Sequence, residues 1–274
     1  MKTYGEILCE KKLFIFDLDG TVYLGGHPFD FAIRFIEHLR HSERDILFFT
    51  NNASHSKNYY MAKLSEMGFS PSPCEIMTAG DVTAEFLLRN RAGKSVYLVG
   101  TSELRLDWRE RGVEIIGEDE IRLGRRADIV VSSFDTELTY EKLKNAVSMI
   151  NGGAEYICTH PDFNCPTEYG PIPDSGSIAA LLTASTGAVP KFFGKPHRET
   201  VEMIREVTRC PFRDIAIFGD RLYTDIALGV KNGITSVLVL TGETTASDLS
   251  QSNDTVPDIV LPSLKEADAA MFGE

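Results

Sequence analysis

Short, unbroken apolar runs punctuate the chain at Leu13–Phe16, Ile46–Phe49, Ile215–Phe218 and Ser236–Leu240. Each is rich in β-branched or aromatic residues and too short for an ordinary helix. Continuous rather than alternating apolarity predicts strands buried on both faces, as in a parallel sheet. Helical spacing lies between the runs. Ala32, Phe35, Ile36 and Leu39 follow an i, i+3, i+4, i+7 pattern, and Val201, Ile204 and Val207 repeat it before the third run. Strands alternating with helices predict a doubly wound α/β fold with a parallel-sheet core.

The middle of the chain repeats this grammar. Val96–Val99, Val113–Ile116, Asp128–Ser133 and Tyr156–Thr159 read as strands; Ser102–Arg111 reads as a helix, and Leu143, Ala146, Val147 and Ile150 mark the face of another. The pattern predicts a smaller α/β unit inserted at 81–176, between core segments 1–80 and 177–274. Thr78–Asp81 and Pro171–Ser177, punctuated by Gly and Pro, are the expected hinges.

At 274 residues and 43% hydrophobic, the chain is long and apolar enough to bury a core unaided. Lys and Arg total 28 against 40 Asp and Glu, a formal net charge of −12. That balance repels a phosphate backbone, so no nucleic-acid partner is expected. It leaves room for a small phosphorylated ligand held locally. Cys9, Cys74, Cys158, Cys165 and Cys210 are scattered and odd in number, which argues for a reducing compartment. The first residues lack a signal peptide's apolar core, and no run is long enough to span a membrane. The expectation is a cytoplasmic protein with no membrane partner.

The chemistry gathers where strands end. Phe14-Ile-Phe runs into Asp17-Leu-Asp19-Gly-Thr21, Ile46–Phe49 runs into Thr50-Asn51-Asn52, and Ile215–Phe218 runs into Gly219-Asp220, with Asp225 five residues later. Ligands of open α/β sheets bind outside the carboxyl ends of the strands. Asp17 and Asp19 at i, i+2 point to roughly one side if the chain stays extended, and Gly20 lets it turn. Carboxylates collected in one crevice repel one another until a hard cation relieves them. Oxygen-only ligands select Mg²⁺, which favours phosphate oxygens. Lys195, in Gly194-Lys195-Pro196, can supply the positive charge a phosphate needs away from the metal.

These four pieces, in this order, resemble the haloacid dehalogenase superfamily of phosphatases. The insertion between the second and third, with Thr159-His-Pro-Asp162, Cys165-Pro-Thr-Glu168 and Gly176-Ser177, is similar to the branch of NagD-type nucleotide phosphatases and para-nitrophenyl phosphatases. The resemblance implies a Rossmann-like core with an α/β cap acting as a lid. It implies a Mg²⁺-dependent enzyme hydrolysing small phosphate monoesters. Asp17 would be the nucleophile that takes the phosphoryl group, and Asp19 the acid and base. Thr50 and the backbone amide of Asn51 would hold phosphoryl oxygens, with Asn52 beside them, while Lys195 neutralises charge. Asp17, the Asp19 carbonyl and Asp220 would hold the metal, and Asp225 would orient its waters or Lys195. Relatives often form dimers through the lid, so a homodimer through the cap is one candidate, and the sequence leaves the oligomeric state open. His160 and Asp162 are candidates to contact the leaving group. Many relatives carry Asn at the position of His160 and Gly at that of Asp174.

Plainer readings exist for each piece. Thr50–Asn52 can cap the next helix, Lys195 can be a loop lysine, and Asp220 and Asp225 can cap a helix at Leu222–Val230. Cys158, His160 and Cys165 lack a fourth ligand for zinc. Tyr23 and His27 read as packing or rim residues, and Trp108 as core or interface. Two rival functions share the same pocket: a phosphotransferase or mutase that passes phosphate to an alcohol, and an idle sensor.

Overall fold

A computed structural model describes residues 2–167, 169–251 and 255–273; Glu168 lies outside them. In chain order its strands are β1 (Leu13–Phe16), β2 (Tyr23–Leu24), β3 (His27–Pro28), β4 (Asp45–Thr50), β5 (Ile76–Thr78), β6 (Val96–Val99) and β7 (Ile129–Ser132). They continue with β8 (Glu155–Cys158), β9 (Asn164–Cys165), β10 (Ile172–Pro173), β11 (Lys191–Phe192), β12 (Ile215–Gly219), β13 (Thr235–Val239) and β14 (Ile259–Leu261). The chain divides into two compact units. The first comprises Met1–Thr50, Tyr60–Met77 and Thr200–Glu274; the second, Asn51–Tyr59 and Thr78–Glu199.

In the first unit a six-stranded sheet runs in the order β14-β13-β12-β1-β4-β5, with β14 through β4 parallel. All four residues of β1 are buried, as its unbroken apolarity predicts. Phe16 stands opposite Phe218 in register, and their rings stack at 5.1 Å. Phe35, from the Asp30–His41 helix, meets Phe16 edge-on at 5.9 Å. Each such buried aromatic contributes roughly 1.5–3 kcal/mol, which anchors the central strands whose ends carry the chemistry. β14 and the Leu264–Phe272 helix that follows extend this unit beyond the elements read from the sequence.

The second unit holds a four-stranded sheet, β11-β8-β7-β6, parallel throughout. Trp108 is a fully buried core residue here. The strand expected at Val113–Ile116 does not form. One bridge, Ile115 to Val96, is all that pairs, so those apolar residues pack as an irregular segment. Thr78–Asp81 is a strand-to-helix junction closed by a capping box. The Thr78 hydroxyl accepts from the Asp81 N–H at 3.0 Å, and the Asp81 carboxylate accepts from the Thr78 N–H at 2.9 Å. At Pro171–Ser177 the short β10 leads into the Ser175–Thr186 helix, with Asp174 at its N-cap. β11 and Lys195 also belong to this unit, beyond residue 176 where the sequence pattern ends the insertion. No helix among the described residues is long and apolar enough to cross a membrane.

Candidate active site

In the first unit Asp17 follows β1 directly. Its N–H donates to the Phe218 carbonyl at 2.9 Å, extending the β1–β12 ladder by one residue. Asp220 follows β12, and Asp225 lies in the wide turn Leu222–Ile226 beyond it. Carboxylate oxygens of Asp17, Asp220 and Asp225 all lie within 4.8 Å of one another. Neither Asp220 nor Asp225 caps the Ala227–Asn232 helix, so the capping reading fails for both. Asp225 thus completes a cluster of three carboxylates. Gly219 permits this, because a Cβ there would sit 2.2 Å from the Asp225 Cβ.

Asp220 is held from several sides. The backbone N–H of Glu243 donates to its Oδ2 at 2.6 Å. Gly20, at φ +84°, and Gly242 press on the carboxylate, and a Cβ on Gly242 would lie 2.0 Å from Oδ2. Oδ1 is buried with no hydrogen-bond partner among the described residues. Burial, and then the charge of Asp225, push this carboxyl up to about 7. Three clustered carboxylates, one with an unsatisfied buried oxygen, fit a hard divalent cation that takes oxygen ligands.

Asp19 lies two residues beyond Asp17, just before the turn at Gly20, and is partly buried. Burial raises its carboxyl above the ordinary value, while Lys63, the Tyr23 hydroxyl and Arg221 pull it back. Tyr23, read from sequence as packing or rim, is fully buried and donates its hydroxyl to Asp19 Oδ2 at 3.0 Å. The Lys63 ammonium lies 4.0 Å from the centre of the Tyr23 ring. The turn explains the pairing: the Gly20 N–H donates to the Tyr23 carbonyl at 2.8 Å, folding Tyr23 back over Asp19. Its i, i+4 spacing from Asp19 was the signal available. Thr50 ends β4 and is buried. The next helix starts only at Lys57, too late for Thr50–Asn52 to cap it.

The second unit gathers another set. Lys195 is 1% exposed, which removes the loop-lysine reading. Its N–H donates to Asn51 Oδ1 at 2.7 Å, and its carbonyl accepts from Asn51 Nδ2 at 3.1 Å. Nδ2 also reaches both Asp162 oxygens at 3.3 Å. Asn52 instead closes its own turn, accepting from the N–H and hydroxyl of Ser54 at 3.0 and 2.6 Å. His160 is fully buried, and its Nε2 donates to Asp174 Oδ1 at 2.8 Å. His160, Asp162 and Asp174 also present atoms within 4.8 Å of one another, but each already has a protein partner. Cys158 bonds with Ser175 at 3.1 Å rather than joining a zinc set. His27 is exposed. The Asn51–Asp162 contact joins residues 111 positions apart and had no sequence signal.

Comparison with known proteins gives this arrangement its relatives. The haloacid dehalogenase-like hydrolase family matches residues 14–114, and a second HAD-hydrolase-like family description matches 192–267. An acid sugar phosphatase of Staphylococcus aureus is 33% identical over 260 residues, covering 95% of this chain and 98% of its own length. The solved 4-nitrophenylphosphatase of Thermotoga maritima is 41% identical, covers 97% of this chain and 99% of its own, and superposes with a TM-score of 0.90. A glycerol phosphate phosphatase of Mycobacterium tuberculosis, solved in complex with magnesium, is 30% identical over 97% of this chain and 78% of its own, with a TM-score of 0.87. The chain belongs to the haloacid dehalogenase-like hydrolases, in the branch that holds these phosphatases.

Proposed function

We propose that this hydrolase is a Mg²⁺-dependent phosphatase of small phosphate monoesters that works through an aspartyl phosphate on Asp17. The observation that carries the reading is the cluster of Asp17, Asp220 and Asp225 at the ends of adjacent parallel strands. Asp17, Asp220 and the Asp19 carbonyl, with Asp225, would hold the metal, which when bound offsets phosphate and carboxylate charge. An Asp17 oxygen attacks phosphorus, the bond from phosphorus to the ester oxygen breaks, and Asp19 protonates the departing alkoxide. Asp19, now a carboxylate, takes a proton from water. That water attacks phosphorus and releases inorganic phosphate and free Asp17. The raised carboxyl of Asp19 suits a group that must first hold a proton. Thr50 and the Asn51 N–H hold phosphoryl oxygens, and Lys195 neutralises charge on the transferring group. Phosphoryl transfer asks mainly for such positioning and charge stabilisation.

The relatives' names point to sugar phosphates, glycerol phosphate and 4-nitrophenyl phosphate as the substrate class. The free thiols of all five cysteines support a place in the cytoplasm. The test is a phosphate-release screen over small monoesters with Mg²⁺ and with EDTA. Asp17→Asn should leave the fold intact and abolish turnover; a variant near the wild-type rate rules out the covalent route.

A further inference from the structure

Within the second unit, the backbone of Lys195 is set by contacts that can be followed outward. The Asn51 amide meets Lys195 on both its N–H and its carbonyl. A carboxylate only accepts, so Asp162 fixes which way that amide faces. Asp162 in turn belongs to a short loop bonded to the start of the Ser175–Thr186 helix at several points. Among them, the Asp174 N–H and the Ser177 hydroxyl donate to the Phe163 carbonyl at 2.9 and 2.6 Å. Two others bear on Asp162 and His160. One is backbone: the Gly176 N–H donates to the Asp162 carbonyl at 2.8 Å. The other is the buried pair of His160 and Asp174, whose Oδ1 also caps the helix through the Ser175 N–H at 2.6 Å. His160 Nδ1 is engaged as well, 2.9 Å from the Thr159 hydroxyl. Gly194 closes the circuit. It has φ +72°, and a Cβ there would lie 2.8 Å from both Asn51 Oδ1 and the His160 Cβ. The chain entering Lys195 is thus pressed against Asn51 and His160 together.

We propose that His160 and Asp174 are positioning residues for Lys195, acting through the loop that carries Asp162 and through Asn51. Both are buried and take each other as hydrogen-bond partner. Their hydrogen bond fixes where the loop sits, and the loop fixes the amide that grips the Lys195 backbone. The pair is buried on both sides, so loss of one partner strands the other's polar group and drives the loop to shift. This proposal rests on the reading that Lys195 holds the transferring phosphoryl group.

Asp174→Ser is the informative variant. Serine is a good N-cap, so the helix keeps its start, but it is too short to hold His160. With Mg²⁺ and 4-nitrophenyl phosphate, kcat should fall at least tenfold, and the inhibition constant for inorganic phosphate should rise by a similar factor. Asp174→Asn, which keeps an oxygen for both His160 and the cap, should return both to within about threefold of wild type. Amine labelling read by peptide mass spectrometry supplies a measurement free of turnover. Lys195 should label at least fivefold faster in Asp174→Ser. Lys142, also buried in this unit and paired with Asp135 at 2.8 Å, should not change. Equal acceleration at Lys142 means general loosening and overturns the proposal. So does unchanged labelling of Lys195 with kinetics within twofold of wild type. If the wild-type chain releases phosphate from no monoester, the proposed function fails instead, and the labelling contrast still decides whether the pair positions Lys195.

Discussion

Glu243 donates its backbone N–H to one carboxylate oxygen of Asp220 at 2.6 Å, while the other oxygen of the same buried group has no partner among the described residues. The carboxylate is fixed in direction and left half satisfied. Burial and the neighbouring Asp225 push it up to about 7 from an ordinary 3.8. The folded value lies above the unfolded one. The contribution to stability is therefore complete below the ordinary value and is lost as pH rises through about 7. In EDTA, the melting temperature of the wild type relative to Asp220→Asn should fall between acid pH and pH 8. A difference that stays flat across that range would show that Asp220 ionises as an ordinary carboxylate.

Adding metal should reverse this loss. A cation at a hundredfold excess over its Kd stabilises by about 2.7 kcal/mol. Binding competes with protons on Asp220, so the Mg²⁺ Kd should tighten as pH rises through about 7. Asp220→Asn keeps an oxygen for the Glu243 N–H, so its metal-free melting temperature should match or exceed that of wild type. Its Mg²⁺-dependent shift should vanish, together with turnover. Calorimetric titration of the EDTA-stripped protein makes the comparison, and equal Mg²⁺ affinity in the two proteins would move the metal elsewhere.

Gly219→Ala tests the packing that brings Asp225 into the cluster. The added methyl would collide with the Asp225 Cβ at 2.2 Å, in a strand residue that is itself buried. Overpacking of this kind costs about 1–3 kcal/mol. The urea midpoint should drop, and Mg²⁺ affinity should weaken with it because a ligand oxygen is displaced. A midpoint and affinity at wild-type values would mean that Asp225 has room to spare.

Tyr23→Phe removes one hydroxyl and leaves the buried ring in place. The lost bond to Asp19 is a hydrogen bond to a charged group, about 1.5–3 kcal/mol. The expected result is a kcat lower by about tenfold or more, with KM within about twofold, because the bond orients the acid and not the substrate. Steady-state kinetics on 4-nitrophenyl phosphate is the check, beside a melting temperature that falls by only the several degrees one buried hydrogen bond accounts for. A selective rise in KM would instead assign Tyr23 to substrate binding.

The parallel core was legible because its strands advertise themselves. Leu13–Phe16 and Ile215–Phe218 have no polar residue to present to water, and both faces are covered in the fold. The placing of Asp17 and Asp220 was legible for a related reason, since charged residues directly after buried strands lie at the sheet's carboxyl edge, whereas Asp225 reaches them only through the turn beyond β12. Val113–Ile116 misled because three apolar residues in four satisfy a strand pattern, while the segment finds only the single bridge from Ile115 to Val96 and no ladder. Tyr23 was underestimated because a buried tyrosine looks like packing until its hydroxyl is located.

What the sequence determined by itself was therefore local: which segments become buried strands, and which reactive side chains stand at their ends. Hydrophobic period and strand-end chemistry are properties of neighbouring residues, and a single chain displays them. What the tertiary structure decided was pairing at a distance. His160 and Asp174 stood out singly as departures from a familiar pattern, yet only folding makes them one hydrogen-bonded pair. Asn51 lies 144 residues from Lys195 and takes its backbone on both sides. Such contacts are fixed by the geometry of sheet register and helix starts, which bring separated segments within hydrogen-bonding reach without leaving a spacing to read.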